Sequence, residues 1–225
     1  MYFRIFSWTI RSAWGNIIEK RERTLFMDKY SILKQYYGHS AFRAGQEALI
    51  DAILSGRDAL CVMPTGGGKS LCYQIPALLL PGITLVVSPL ISLMKDQVAA
   101  LKSAGIPAAY INSSLTGEQI RTVYARTRKG AYKLIYVAPE RLETNSFLSL
   151  MQEMDVSFLA VDEAHCISQW GQDFRPSYLG IVDFINALPR RPIVAAYTAT
   201  ATKQLQSDIL RLLQLQSPYR IVTGF

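Results

Sequence analysis

Two short stretches, Thr84–Val87 (Thr-Leu-Val-Val) and Phe158–Val161 (Phe-Leu-Ala-Val), carry apolar residues at consecutive positions with no polar alternation. A strand with one wet face alternates apolar and polar, so a run without alternation reads as a strand covered on both faces. Such strands belong to parallel sheets, whose crossovers place helices on either side. The rest of the chain repeats the unit. β-rich runs at Ala59–Met63, Thr84–Ser88, Ala108–Ile111, Lys133–Ala138, Ser157–Val161, Ile193–Thr198 and Arg220–Val222 alternate with helical patterns at Lys69–Leu80, Leu90–Ser103, Gly117–Lys129, Tyr178–Ala187 and Thr202–Leu213. Two further helical patterns, Ser31–Tyr37 and Gln46–Leu54, precede them, set off by Gly38 and Gly45. The arrangement predicts an α/β fold with a mostly parallel sheet and helices on both faces.

Composition narrows the class. Of 225 residues, 50% are hydrophobic and 18% charged, which excludes a disordered tail or low-complexity scaffold. The 24 Lys and Arg against 17 Asp and Glu leave a net charge of +7. That balance suits an anionic partner such as nucleic acid or nucleotide, and equally fits many ordinary soluble proteins. Cys61, Cys72 and Cys166 lack C-x-x-C spacing and a nearby His pair, and so read as reduced core thiols of a cytoplasmic protein rather than a disulfide framework or zinc site. The most apolar stretch, 75–91, is interrupted by Pro76, Pro81, Gly82 and Pro89, short of the ~20 residues a membrane span needs. Residues 1–28, with aromatics at Tyr2, Phe3, Phe6, Trp8 and Trp14 and the charged cluster 19–23, read as an N-terminal extension peripheral to the fold, with Met27 as an alternative start. Residues 29–225 form the domain proper.

The strongest local signal is Met63-Pro64-Thr65-Gly66-Gly67-Gly68-Lys69-Ser70, which follows a strand and opens a helix. Successive glycines let backbone N–H groups turn toward phosphate oxygens without a Cβ in the way, and the helix N-terminus adds positive dipole there. Thr65, Gly66, Gly67 and Gly68 are the cradle, Lys69 reaches the β- and γ-phosphates, and Ser70 is a Mg²⁺ ligand. The phosphate-loop pattern asks for Gly where this chain has Met63. The second signal is Asp162-Glu163-Ala164-His165, directly after the run ending at Val161. Acidic groups at the carboxyl end of a parallel strand lie where open α/β sheets bind ligands. Asp162 is placed to hold Mg²⁺ and Glu163 to deprotonate water attacking the γ-phosphate. Together the two motifs point to a nucleoside triphosphatase.

Within that frame the chain resembles the RecQ family of DNA helicases. The resemblance rests on Thr65–Ser70, on Ser88-Pro89-Leu90-Ile91-Ser92-Leu93-Met94-Lys95-Asp96-Gln97, on Ala138–Leu142, on Asp162–His165, on Thr198-Ala199-Thr200, and above all on the aromatic-rich segment Cys166–Tyr178. It implies a RecA-like P-loop NTPase domain, the first of two motor domains, that hydrolyses ATP with Mg²⁺ and drives 3′→5′ unwinding of DNA. Lys69, Asp162, Glu163 and His165 are the catalytic candidates. Upstream, Tyr37–Gln46 resembles the family's adenine-recognition motif, which implies that Gln46 bonds the adenine edge and Arg43 supports the base or its phosphates. Here His39 stands where an aromatic is usual and Ala44 where Pro is frequent. His39 either stacks on adenine or is an exposed loop residue.

In the aromatic-rich loop, Trp170, Phe174 and Tyr178 sit among polar residues where burial of all three is not demanded, and Ser168, Gln169, Trp170, Phe174 and Arg175 are the candidate DNA contacts. Aromatic side chains beside an Arg can stack on bases, and they can equally pack the loop onto the domain. Lys95 and the cluster Arg121, Arg126, Arg128 and Lys129 either touch phosphates or form a solvated helix face. The family's second RecA-like domain supplies an arginine to the ATP site, so a chain with one motor domain is expected to bind Mg-ATP and DNA weakly and to unwind little. Two rival readings stand beside this one: an RNA helicase or other translocase of the same superfamily, and an ATP-independent nucleic-acid-binding fragment.

Overall fold

The computed structural model describes residues 27–171, 173–199 and 202–223; residues 1–26 of the N-terminal extension and Thr200 lie outside them. Seven strands form one sheet: β1 (Ala59–Val62), β2 (Ile83–Val87), β3 (Ala108–Ile111), β4 (Leu134–Val137), β5 (Val156–Val161), β6 (Ile193–Thr198) and β7 (Tyr219–Val222). Their order is β3-β4-β2-β5-β6-β1-β7, and every neighbouring pair is parallel. The helices are α1 (Lys29–Tyr37), α2 (Gln46–Leu54), α3 (Lys69–Leu79), α4 (Ile91–Ser103), α5 (Gly117–Arg128), α6 (Pro139–Leu142), α7 (Asn145–Glu153), α8 (Gly180–Ala187) and α9 (Lys203–Leu212).

The unalternated runs do what their pattern requires. In β1, Ala59 and Cys61 join one core while Leu60 and Val62 join the other; in β5, Phe158 and Ala160 separate likewise from Leu159 and Val161. One core packs α1 to α4 against the sheet, and the second packs α7, α8 and α9, with Val123 and Tyr124 of α5 at its margin. All three cysteines are free and buried, and burial pushes the Cys61 thiol up to about 12. Among the described residues no helix is long and apolar enough to cross a membrane.

Helix α3 holds Pro76 in its interior. Proline has no N–H to give the carbonyl four residues back, that of Cys72. Tyr197 of β6 supplies the missing donor, its hydroxyl meeting the Cys72 carbonyl at 3.2 Å. The buried backbone group is thereby satisfied, and the helix that starts at the phosphate loop is tied to the sheet strand beside it.

Candidate active site

Three strands adjacent in the sheet, β5, β6 and β1, bring the motifs to one edge, because parallel strands all end on the same side. The glycine loop leaves β1, Asp162 and Glu163 leave β5, and Thr198 ends β6 between them. The backbone stitches these ends together: the Met63 amide donates to the Thr198 carbonyl at 3.0 Å and the Asp162 amide to the Val87 carbonyl at 2.8 Å.

The loop is closed on its own lysine. Lys69 Nζ donates to the Met63 carbonyl at 2.9 Å and the Pro64 carbonyl at 3.4 Å. Met63 fits despite departing from the glycine pattern because its side chain is buried beneath the loop, where a Cβ on Gly67 would come within 2.6 Å of Met63 Cγ. Gly68 has φ +84°, and a Cβ there would stand 2.4 Å from Gln46 Nε2. The close approach has a polar cause. Gln46, 1% exposed at the start of α2, donates from Nε2 to the Gly67 and Gly68 carbonyls at 3.2 Å each, and its Oε1 accepts the Arg43 amide at 2.9 Å. Arg43 Nη1 donates to the Gly66 carbonyl at 2.7 Å. The two residues expected at the adenine edge thus also grip the phosphate loop, a role that spacing alone did not reveal. His39 is exposed.

Asp162 is buried, and its Oδ1 accepts the Glu163 amide at 3.1 Å. Burial first, and the neighbouring Glu163 charge second, push its carboxyl up to about 6, against the pull of Lys69 and His165. A buried carboxylate at the end of β5 and the Ser70 hydroxyl in the first turn of α3 are hard oxygen donors of the kind that fits Mg²⁺. Among the described residues no three His, Cys, Asp or Glu side chains gather to hold a metal alone, so the ion's remaining ligands would come from phosphate and water. Glu163 adopts the left-handed conformation, φ 48° and ψ 45°, which turns its side chain out of the strand direction at a cost in backbone energy. Its Oε2 lies 3.3 Å from His165 Nδ1, which also meets Thr198 Oγ1 at 3.2 Å. The Cys166 sulfur and then Glu163 raise the His165 pKa, and His165 in turn lowers that of Glu163.

The aromatic-rich loop divides into buried and exposed parts. Trp170 is 76% exposed, Gln169 is exposed, and Phe174 and Arg175 are half-buried. Tyr178 takes the packing alternative: it is fully buried, with its hydroxyl donating to the Asp162 carbonyl at 2.8 Å, and so braces the acidic motif. One expectation needs correction. Ser168 is 1% exposed; its hydroxyl donates to Asp208 Oδ2 at 2.7 Å and accepts the Trp170 amide at 3.1 Å, so it anchors the loop from inside. Asp208 was missed. The signal was present in α9, where Leu205, Asp208 and Ile209 share one face, and a carboxylate on an apolar stripe demands a partner. Arg175 is engaged as well, by Asp173 Oδ2 at 2.8 Å and by the Pro89 carbonyl at 3.3 Å. In α5, Arg128 pairs with Glu153 at 2.7 Å, the solvated-face alternative for that cluster.

Residues 43–207 match the DEAD/DEAH box helicase family. The chain belongs to that family. It is 50% identical over 196 residues to the ATP-dependent DNA helicase RecQ of Bacillus subtilis, covering 87% of this chain and 33% of that protein. Against the RecQ of Haemophilus influenzae it is 53% identical over 195 residues, covering 87% of this chain and 31% of the relative. The chain therefore spans about a third of the length of these curated relatives. Among solved structures, the Pyrococcus furiosus Hef helicase domain superposes with a TM-score of 0.62 at 21% identity, over 80% of this chain and 38% of that one. The helicase MrfA bound to DNA superposes with a TM-score of 0.68 at 17% identity, over 88% and 29%. At those identities the structural likeness establishes the RecA-like helicase fold, and the family match establishes a helicase motor domain.

Proposed function

We propose that this domain is the ATP-binding half of a RecQ-type, ATP-dependent DNA helicase that unwinds duplexes 3′→5′. The observation that supports it most is the convergence at one sheet edge of the phosphate loop, the Asp162–Glu163 pair and Thr198, with His165 between Glu163 and Thr198. The half-identity to RecQ relatives directs this site to DNA.

In this reading the loop amides of Gly66, Gly67 and Gly68 and the α3 N-terminus bind the phosphates, and Lys69 exchanges the Met63 and Pro64 carbonyls for phosphate oxygens. Ser70 and Asp162 would hold Mg²⁺, which would neutralise charge developing on the phosphates. Glu163 takes the proton of the attacking water, and His165 keeps it oriented and ionised. Gln46 and Arg43 recognise adenine and report its arrival to the loop carbonyls they already hold. Gln169, Trp170 and Phe174 meet single-stranded DNA, while Ser168 and Arg175 fix the loop that presents them. A second RecA-like domain completes the ATP site with an arginine, a contribution of about 10³–10⁵ in rate in phosphoryl-transfer enzymes. Cytoplasmic location accords with the three reduced thiols.

The test compares binding of labelled single-stranded DNA and RNA of the same length in the presence of Mg-AMP-PNP. Tighter binding of DNA is expected. Equal or tighter binding of RNA would overturn the assignment to DNA and favour an RNA motor.

A further inference from the structure

We propose that Gln74 is a positioning residue whose buried amide ties the phosphate-loop helix α3 to helix α4, so that the state of the loop sets the position of segment 88–97. The inference rests on the reading of the site as an ATP- and DNA-binding motor domain.

Gln74 lies on α3 five residues beyond Lys69 and is 4% exposed. Its side-chain amide has a partner in each of three other elements. Tyr37, the last residue of α1, donates its hydroxyl to Gln74 Oε1 at 3.0 Å. Gln74 Nε2 donates to Gln97 Oε1 of α4 at 2.9 Å and to the Tyr136 hydroxyl of β4 at 3.0 Å. The network reaches back toward the loop, because Tyr136 packs edge-on against Tyr73 of α3 at 6.4 Å, one turn beyond Ser70.

Leu or Met would fill this volume without three aligned partners, and a buried amide that loses one is costly. A satisfied polar network instead gives what apolar packing does not, a joint that holds one geometry. Apolar contacts are non-directional, whereas a hydrogen bond fixes direction as well as distance and so resists rotation and shear between the elements it joins.

Both ends of the joint have something to transmit. Lys69 now holds the Met63 and Pro64 carbonyls, and phosphate binding must take it from them, resetting the first turn of α3. At the far end, the Pro89 carbonyl just ahead of α4 accepts Arg175 Nη1 at 3.3 Å, so α4 begins where the aromatic-rich loop is pinned. Helix backbone and hydrogen bonds thus lead from Lys69 through Gln74 and Gln97 along α4 to the Pro89 carbonyl and to Arg175 of the loop that carries the exposed Trp170. The two states that both ligands bias are the loop closed on Lys69 and the loop opened around phosphate.

The experiment measures the affinity of Mg-AMP-PNP with and without saturating oligo-dT in the full chain and in Gln97→Met, Gln97→Glu and Gln74→Met. For the unaltered chain, DNA should tighten nucleotide by about 5-fold or more, the lower end of ordinary coupling. Gln97→Met and Gln74→Met should bring that ratio to near 1 while each ligand alone binds within about 2-fold of the unaltered chain. Gln97→Glu keeps an acceptor for Gln74 Nε2 and should restore the ratio, which a loss of packing would not allow. If Gln74→Met fails to fold, Gln97→Met, at a half-buried position, decides alone. An undiminished ratio in Gln97→Met overturns the inference, as does independent binding of the two ligands by the unaltered chain. Failure of the unaltered chain to bind nucleotide and DNA at all overturns the motor reading beneath it.

Discussion

Tyr178 and Trp170 belong to the same loop and look alike in the sequence, as large aromatics among polar neighbours. The structure gives them opposite surroundings, and their substitutions should separate accordingly. Tyr178→Phe leaves the buried Asp162 carbonyl without the hydroxyl that satisfies it at 2.8 Å, a loss of about 1–3 kcal/mol of stability. Thermal unfolding should fall by roughly 2–4 °C for each kcal/mol lost. Trp170→Ala, at a side chain three-quarters in water, should leave the melting temperature unchanged and weaken single-stranded DNA binding by about 1–3 kcal/mol if a base stacks on it. Reversal of this pattern, with Trp170→Ala unstable and Tyr178→Phe silent, would show the loop assignment to be wrong. Residue identity alone did not separate the two, because a ring packs or stacks with the same chemistry and only its neighbours decide. Gly171 shows the same limit. A Cβ there would lie 2.1 Å from the His165 carbonyl oxygen, a constraint set by the fold of the loop onto the acidic motif and invisible in the spacing.

At the scale of elements, the runs with unalternated apolar residues became the strands, with ends displaced by a residue: Ala59–Met63 stops at Val62, and Ser157–Val161 begins at Val156. What the sequence reading passed over is α7, Asn145–Glu153, between the two motifs around Ala138–Leu142 and Asp162. Its signal was there, since Phe147, Leu150 and Met151 repeat at helical spacing and all are buried. It was masked by proximity to a motif with a stronger identity. This helix is central to one of the two cores: the Phe147 ring stacks on Phe184 of α8 at 5.8 Å and lies 6.4 Å from Tyr124 of α5. Phe147→Ala should therefore cost about 3–5 kcal/mol in chemical denaturation, with the nucleotide site intact in the fraction that remains folded. A cost near zero would mean that α7 is an appendage and that the second core is closed by α8 and α9 alone. The gripping of the loop by Gln46 and Arg43 belongs to this scale too. Their position at and just before the start of α2 was legible, but the contact of α2 with α3 that aims them at the glycine carbonyls is a property of the packed pair.

For the whole molecule, the parallel sheet is what makes the site. Strands that run one way deliver every motif to one edge, and the order β2-β5-β6-β1 sets the Ser88 segment, the acidic pair, Thr198 and the phosphate loop side by side although they are far apart in the chain. That convergence followed from the α/β pattern, whereas the neighbour relations along the edge did not, because strand order is decided by helix packing on both faces. The positive charge adds to attraction for nucleotide and DNA without choosing between them. The central claim is that the edge binds the phosphates of Mg-ATP through Lys69. Its most direct test is a Mg-ATP titration by calorimetry of the chain and of Lys69→Ala, with thermal unfolding to show that both are folded. The chain should bind and the variant should lose at least about 10-fold in affinity, the worth of a charge-assisted contact of about 1.4 kcal/mol or more. Equal affinity in the two folded proteins, or no binding by either, would contradict the assignment of this edge as a nucleotide site.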